Sequence, residues 1–232
     1  MVTLALLLSL LSQVRGAPNV LDVTQTLTLE NGLDRGTWGN VDLCPLGSFA
    51  FAFEIKFAEL GHLDDTALTG IRLYCGDFNG SPTGTVSSSE ATYGEWQGPR
   101  QCASGKYLKS MRGQVVPEQG EFGDDLGLYD AQMSCSDGQV LDGLELSARL
   151  PLKSNKQQQL RVTEDGRVVE VVHLKTGLRE GRVKLVGDGV WSLWAECSGT
   201  SRICGLQTRV EPDETFTDDA GVCDLIMFCC SY

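Results

Sequence analysis

The sequence predicts an all-β, disulfide-stapled domain built from three similar units. Three observations carry that reading: a Gly- and Cys-rich composition, a four-feature spacing that recurs three times, and strict apolar alternation before each closing cysteine. Of 232 residues, 27 are Gly and 9 are Cys, so turns are plentiful and long helices are not expected. Nine Cys with two His and no Cys-x-x-Cys point to disulfides and not to zinc, and the odd number leaves one cysteine over. The formal net charge is −12, which argues against nucleic acid or an anionic membrane surface as partner, because both demand basic surface.

The chain opens on an apolar run from Leu4 to Leu11, too short to span a bilayer, followed by Val14-Arg15-Gly16. This pattern predicts a signal peptide over 1–16, cleavage after Gly16, and a secreted, acidic mature chain over 17–232.

The repeat follows from spacing alone. Unit one holds Trp38, Cys44, Asp64-Asp65 and Cys75; unit two Trp96, Cys102, Asp124-Asp125 and Cys135; unit three Trp191, Cys197, Asp218-Asp219 and Cys229. Trp to Cys is 6 positions in all three, and the second Asp to the closing Cys is 10 in all three. The opening Cys to the first Asp is 20, 22 and 21. Before each closing Cys the apolar positions alternate: Ile71 and Leu73, Ala131 and Met133, Leu225 and Met227. That is the period of a half-buried strand, with the half-cystine on the apolar side. Further strand patterns run from Phe49 to Phe57 and from Ile203 to Val210, and Gly76 to Pro82 reads as a turn. The units set boundaries at about 23–76, 77–143 and 186–232.

Disulfides that close each unit on itself are Cys44–Cys75, Cys102–Cys135 and Cys197–Cys229, each enclosing a loop worth about 3–4 kcal/mol in chain entropy. Cys204 and Cys230 form the natural fourth pair. Cys223 is then the odd residue, either a free thiol or half of an intermolecular bridge.

Trp38-Gly39, the segment 64–75 that ends Ile71-Arg72-Leu73-Tyr74-Cys75, the segment 203–211 and the terminal Cys229-Cys230 resemble the vitelline membrane outer layer protein I family. The resemblance covers about 23–143 and 186–232. It implies a β-prism: three four-stranded Greek-key sheets about a pseudo-threefold axis, one per repeat. It also implies a structural role in an extracellular coat, in association with other coat proteins and with glycans as further candidate partners. The alternative that it carries is a carbohydrate-binding module or a weak transferase acting on N-acetylglucosamine oligosaccharides. The wide spacing of Cys197 and Cys204 leaves open which of them pairs with Cys229 and which with Cys230.

Residues 144–185 depart from the pattern. This insertion holds nine Lys+Arg against five acids, and Arg161-Val162 with Val168–Leu174 predicts a small hairpin around Asp165-Gly166. It reads as a solvated excursion, with a basic patch for an acidic partner as the competing reading.

No catalytic motif, metal site or cofactor fingerprint is present, so no enzymatic activity and no cofactor are expected. The repeated acidic pairs Asp64, Asp65, Asp124, Asp125, Asp218 and Asp219 are the glycan-binding candidates. Glycosidic chemistry needs two carboxyl groups about 5–9.5 Å apart across a sugar. Adjacent side chains diverge, so a turn that bonds nearby backbone N–H groups is the preferred reading. The three repeated Trp residues could stack on sugar faces, but a recurrent large aromatic is first of all a packing device. His62 and His173 are isolated. Asn79-Gly80-Ser81 has the form of a glycosylation acceptor, with Pro82 directly after it against its use.

Overall fold

In a computed structural model the described residues are 22–58, 67–116, 127–144, 158–162, 168–173, 189–211 and 220–231. The signal segment, all three Asp-Asp pairs, His62 and most of the insertion lie outside them.

Three antiparallel sheets form the prism. Sheet one contains β4 (Phe49–Phe57), β5 (Leu68–Gly76) and β6 (Pro82–Ser87), with β7 (Glu95–Trp96) and β8 (Arg100–Gln101) both lying along β4. Sheet two contains β9 (Leu108–Val116), β10 (Gly127–Cys135) and β11 (Val140–Asp142), with β14 (Val190–Trp191) and β15 (Ala195–Glu196) along β9. Sheet three contains β16 (Arg202–Val210), β17 (Val222–Ser231) and β1 (Asp22–Thr28), with β2 (Thr37–Trp38) and β3 (Asp42–Leu43) along β16. In each, two short pieces make one interrupted fourth strand, and the order is that of a Greek key. In the insertion, β12 (Gln158–Val162) pairs with β13 (Val168–His173), the hairpin that its sequence predicts.

The sheets are not one per repeat. Sheet one takes its fourth strand, with Trp96, from the second unit; sheet two takes Trp191 from the third; sheet three takes Trp38 from the first. Each sheet therefore borrows its edge from the next unit, and β1 on β17 closes the ring. The exchange gives every long strand of the central hairpins a partner on both sides, leaving fewer unpaired backbone groups at the sheet edges.

This exchange changes what the disulfides do. Cys44, Cys102 and Cys197 each follow a borrowed edge, while Cys75, Cys135 and Cys229 lie in β5, β10 and β17 of the neighbouring sheet. All three bridges form as the spacing predicts, and each ties one sheet to another. A β-bulge stands beside each of them. The register skips Phe51 in β4, Lys109 in β9 and Cys204 in β16. The carbonyls of those residues accept the amides of Cys102 (2.9 Å), Cys197 (3.0 Å) and Cys44 (2.7 Å). The extra residue of each bulge, left out of the ladder, is thus satisfied by the staple. The bulge also re-aims Cys204 so that it bonds Cys230, which settles the open pairing in sheet three. In sheet one the corresponding space is taken by the Phe51 ring, close to Gly76.

Apolar side chains from all three sheets meet inside. Phe53, Met111 and Leu206 on the first long strands, and Leu73, Met133 and Met227 on the second, are fully buried. Leu27, Val86 and Leu141 cover the cluster from the outer strands. No sheet alone could bury its inward face, which makes the three units one core. Among the described residues no helix is long and apolar enough to cross a membrane.

Cys223 sits in β17, where sheets one and two carry Thr69 and Tyr129, and it is a buried free thiol. Burial, then the nearby Glu211 carboxylate, pushes the thiol up to about 11. An intermolecular bridge needs an accessible thiolate, so the free-thiol reading holds. A water-soluble thiol reagent is expected to label nothing in the native protein and one thiol per chain after unfolding without reductant. Labelling of the native protein would contradict the burial.

Candidate functional site

The acidic pairs fall in the segments 59–66, 117–126 and 212–219, which lie outside the described residues. What frames them is described. Ala67, Gly127 and Gly221, each two positions after the second Asp, have φ of +50°, +59° and +59°. This left-handed conformation leads all three chains into their second long strands, and it is costly for any residue with a Cβ. The amide of Ala58 donates to Ala67 O at 2.8 Å, and that of Glu211 to Gly221 O at 2.9 Å. The backbone that follows the three acidic segments therefore has one shared conformation.

The described polar chemistry lies instead along the borrowed edges, where every repeated Trp meets an Arg. The Arg72 guanidinium lies 3.9 Å from the Trp96 ring centre. That of Arg209 lies 5.9 Å from Trp38. In sheet two, Arg112 is 4.7 Å from Trp191 and 4.8 Å from a second indole, Trp194. A cation over an indole face is attracted by the ring quadrupole. The three Trp residues are half-buried.

The three arginines stand at different registers. Trp96, Trp191 and Trp38 pair across the ladder with Lys56, Gln114 and Arg209, so only in sheet three does the partner itself supply the cation. Arg72 reaches from β5 and Arg112 from two positions away on β9. A spacing search finds the indoles and misses the cations. Trp194 stands outside the repeat, because neither other unit has an indole three positions after its repeated Trp.

Sheet one holds the most concentrated polar group. Glu54 is buried; it accepts Tyr74 O–H at 2.5 Å and the Gly98 amide at 2.8 Å, with Arg72 at 3.8 Å. Burial and then the bond to Glu54 raise the Tyr74 phenol above its ordinary value. The Tyr74 hydroxyl and the Gly98 amide together tie the Glu54 carboxylate to β5 and to the turn between β7 and β8. In sheet two the equivalent row runs from a cation through an amide to an acid: Arg112 Nε donates to Gln132 Oε1 at 2.6 Å, and Gln132 Nε2 donates to Asp142.

At the bulge end, Phe49 and Arg202 open the first long strands of sheets one and three, and Tyr107 directly precedes that of sheet two. Arg202 lies 4.6 Å from Tyr107 and 5.2 Å from both Phe49 and Phe78. Phe49 and Tyr107 meet edge to face at 5.8 Å. Beside this plug is a hollow of about 190 Å³ lined by Phe51, Gly76, Asp77, Gln101, Lys106 and Tyr107. Its polar groups are mostly engaged: Tyr107 O–H donates to Asp77 O at 2.7 Å, and Asp77 Oδ1 accepts the amides of Asn79 and Ser81 at 2.9 Å each. Among the described residues no three His, Cys, Asp or Glu side chains gather into a metal-binding group.

The family described as Vitelline membrane outer layer protein I matches residues 25–156 and 152–232. The mouse vitelline membrane outer layer protein 1 homolog is 29% identical over 216 residues, covering 92% of this chain and 84% of that protein. The human homolog is 29% identical over 212 residues, covering 89% and 83%. Among solved structures, an artocarpin–mannopentose complex aligns over 90% of this chain and 99% of its own with a TM-score of 0.48 and 10% identity. A Malaysian banana lectin variant aligns over 91% and 99%, with a TM-score of 0.44 and 12% identity.

Proposed function

The chain belongs to the vitelline membrane outer layer protein I family, and from that premise we propose that it is a secreted structural component of an extracellular coat. Cleavage after Gly16 releases residues 17–232 as one prism, which associates with other coat proteins and with coat glycans. The role is mechanical and non-enzymatic: the molecule contributes a rigid, protease-resistant block.

The observation that supports this best is the circular closure. Each borrowed edge is fixed to the next sheet by a disulfide, and β1 pairs with β17. Local opening of any sheet must therefore strain its neighbours, which is the property that a durable coat block needs. The buried carboxylate of Glu54 is engaged in holding the fold, which is in keeping with a non-catalytic role.

The test adds purified, labelled protein to an isolated egg-coat outer layer and washes with salt, while a parallel assay follows turnover of N-acetylglucosamine oligosaccharides. Retention against salt without turnover is the expected result. Complete wash-out, together with turnover that is lost on Asp64→Asn or Asp124→Asn in a folded protein, would replace the coat role by the transferase reading.

A further inference from the structure

The interrupted edge of sheet two reads Trp191-Ser192-Leu193-Trp194-Ala195-Glu196-Cys197. We propose that Trp191 is an acceptor for C-linked mannosylation, in which mannose C1 is joined to indole C2. Glycosyltransferases of the secretory pathway that form this bond take the first indole of Trp-x-x-Trp. The inference rests on the secretion proposed above. The corresponding segments in the other units, Trp38-Gly39-Asn40-Val41 and Trp96-Gln97-Gly98-Pro99, lack the second Trp, so the site is peculiar to this edge.

The geometry suits the modification. Ser192 is tucked inward, its amide donating to Gly113 O at 2.8 Å and its hydroxyl accepting the Gly113 amide at 3.1 Å. The Leu193 amide donates to Glu30 Oε1 at 3.0 Å. Held at these points, the segment turns outward: Val190 is 60% exposed, Leu193 75% and Trp194 38%. Arg112 contacts both indoles by their faces, at 4.7 and 4.8 Å. A substituent on C2 lies in the plane of the ring, so it leaves the face that Arg112 covers undisturbed. The same sheet carries the polar row Arg112, Gln132 and Asp142, whose members stand side by side across β9, β10 and β11.

The chemistry balances without an oxidant. The donor is mannose activated as a polyprenyl phosphate ester. Indole C2 attacks mannose C1, the C1–O bond breaks, and polyprenyl phosphate leaves with the bonding pair. Loss of the C2 proton to a base restores the aromatic ring. Because Trp191 is half-buried once β14 pairs with β9, the reaction takes place on the chain before the prism closes.

The experiment expresses the full chain with its own N-terminus, and in parallel behind a cleavable leader from an unrelated secreted protein. The host cells are ones shown to modify a Trp-x-x-Trp reporter. Peptide mass spectrometry of the secreted protein is expected to find one added hexose on Trp191. That hexose should resist peptide N-glycosidase and mild base, and should fragment across the sugar ring. Trp194→Ala is expected to remove the Trp191 hexose; if that variant is not secreted, the wild-type spectrum decides. An unmodified Trp191 in the leader-driven protein, or a hexose on Trp194 alone, would overturn the proposal. Failure of secretion from the native N-terminus with a modified leader-driven protein would count against the secretion reading and leave this one standing.

Discussion

Replacing Cys102 and Cys135 together by alanine is expected to lower the unfolding free energy by about 4 kcal/mol. The bridge closes a separation of 33 residues, and no other described disulfide crosses that loop, so its whole entropic constraint on the unfolded chain is lost. The same change also frees the borrowed edge of sheet one from β10 of sheet two, so the ring loses a tie in the native state as well. The comparison that makes this a sharp test is the pair Cys204 and Cys230. Their bridge overlaps almost completely with Cys197–Cys229, so with that one intact it closes only a small additional ring. Its removal is expected to cost less, about 2–3 kcal/mol. Equilibrium unfolding in denaturant without reductant measures both; equal losses would show that overlap of the loops has no bearing on the stabilisation.

Gly127→Ala is expected to destabilise by about 2–5 kcal/mol, whereas Ala67→Gly at the equivalent position changes stability by about 1 kcal/mol or less. Both residues begin a second long strand with positive φ. At Gly127 an added Cβ would stand 2.6 Å from Ala220 O and 2.8 Å from Val222 O, which are backbone atoms of the neighbouring sheet and cannot swing aside. Conformational strain and steric overlap therefore act together. The Ala67 methyl is fully buried in the main core. Removing it relieves left-handed strain but loses buried apolar contact and loosens the unfolded chain, so the terms largely cancel. Denaturation midpoints of the two variants against wild type decide the matter, and equal shifts would remove the structural distinction between the sites.

Much of the architecture was legible in the chain. The equal Trp-to-Cys and Asp-to-Cys spacings found the three units, and alternation found the strands that carry Cys75, Cys135 and Cys229. These are local signals, set by strand period and by covalent loop length. The candidate site was much less legible. Its cations, Arg72, Arg112 and Arg209, occupy three unequal registers, because a long guanidinium can reach an indole from several neighbouring positions. No repeat survives at that level. Alternation also overstated exposure on the outward face: Glu54 and Gln132 are buried there by Tyr74, Arg112 and their hydrogen-bond partners.

By itself the sequence determined the three repeats, the strand that ends in each closing cysteine, two of the four cysteine pairings and the identity of the odd cysteine. Only the tertiary structure decided that each sheet is shared between two units, so that bridges internal to a repeat become ties between sheets. It also decided that Cys204 bonds Cys230, through the bulge that re-aims it, and that Cys223 is sealed in the core. The physical reason is that strand period and chain length act along the chain, whereas edge pairing and burial depend on which surfaces meet. A strand patterned for one buried face specifies that it needs a neighbour; the closed ring supplies that neighbour from the next repeat.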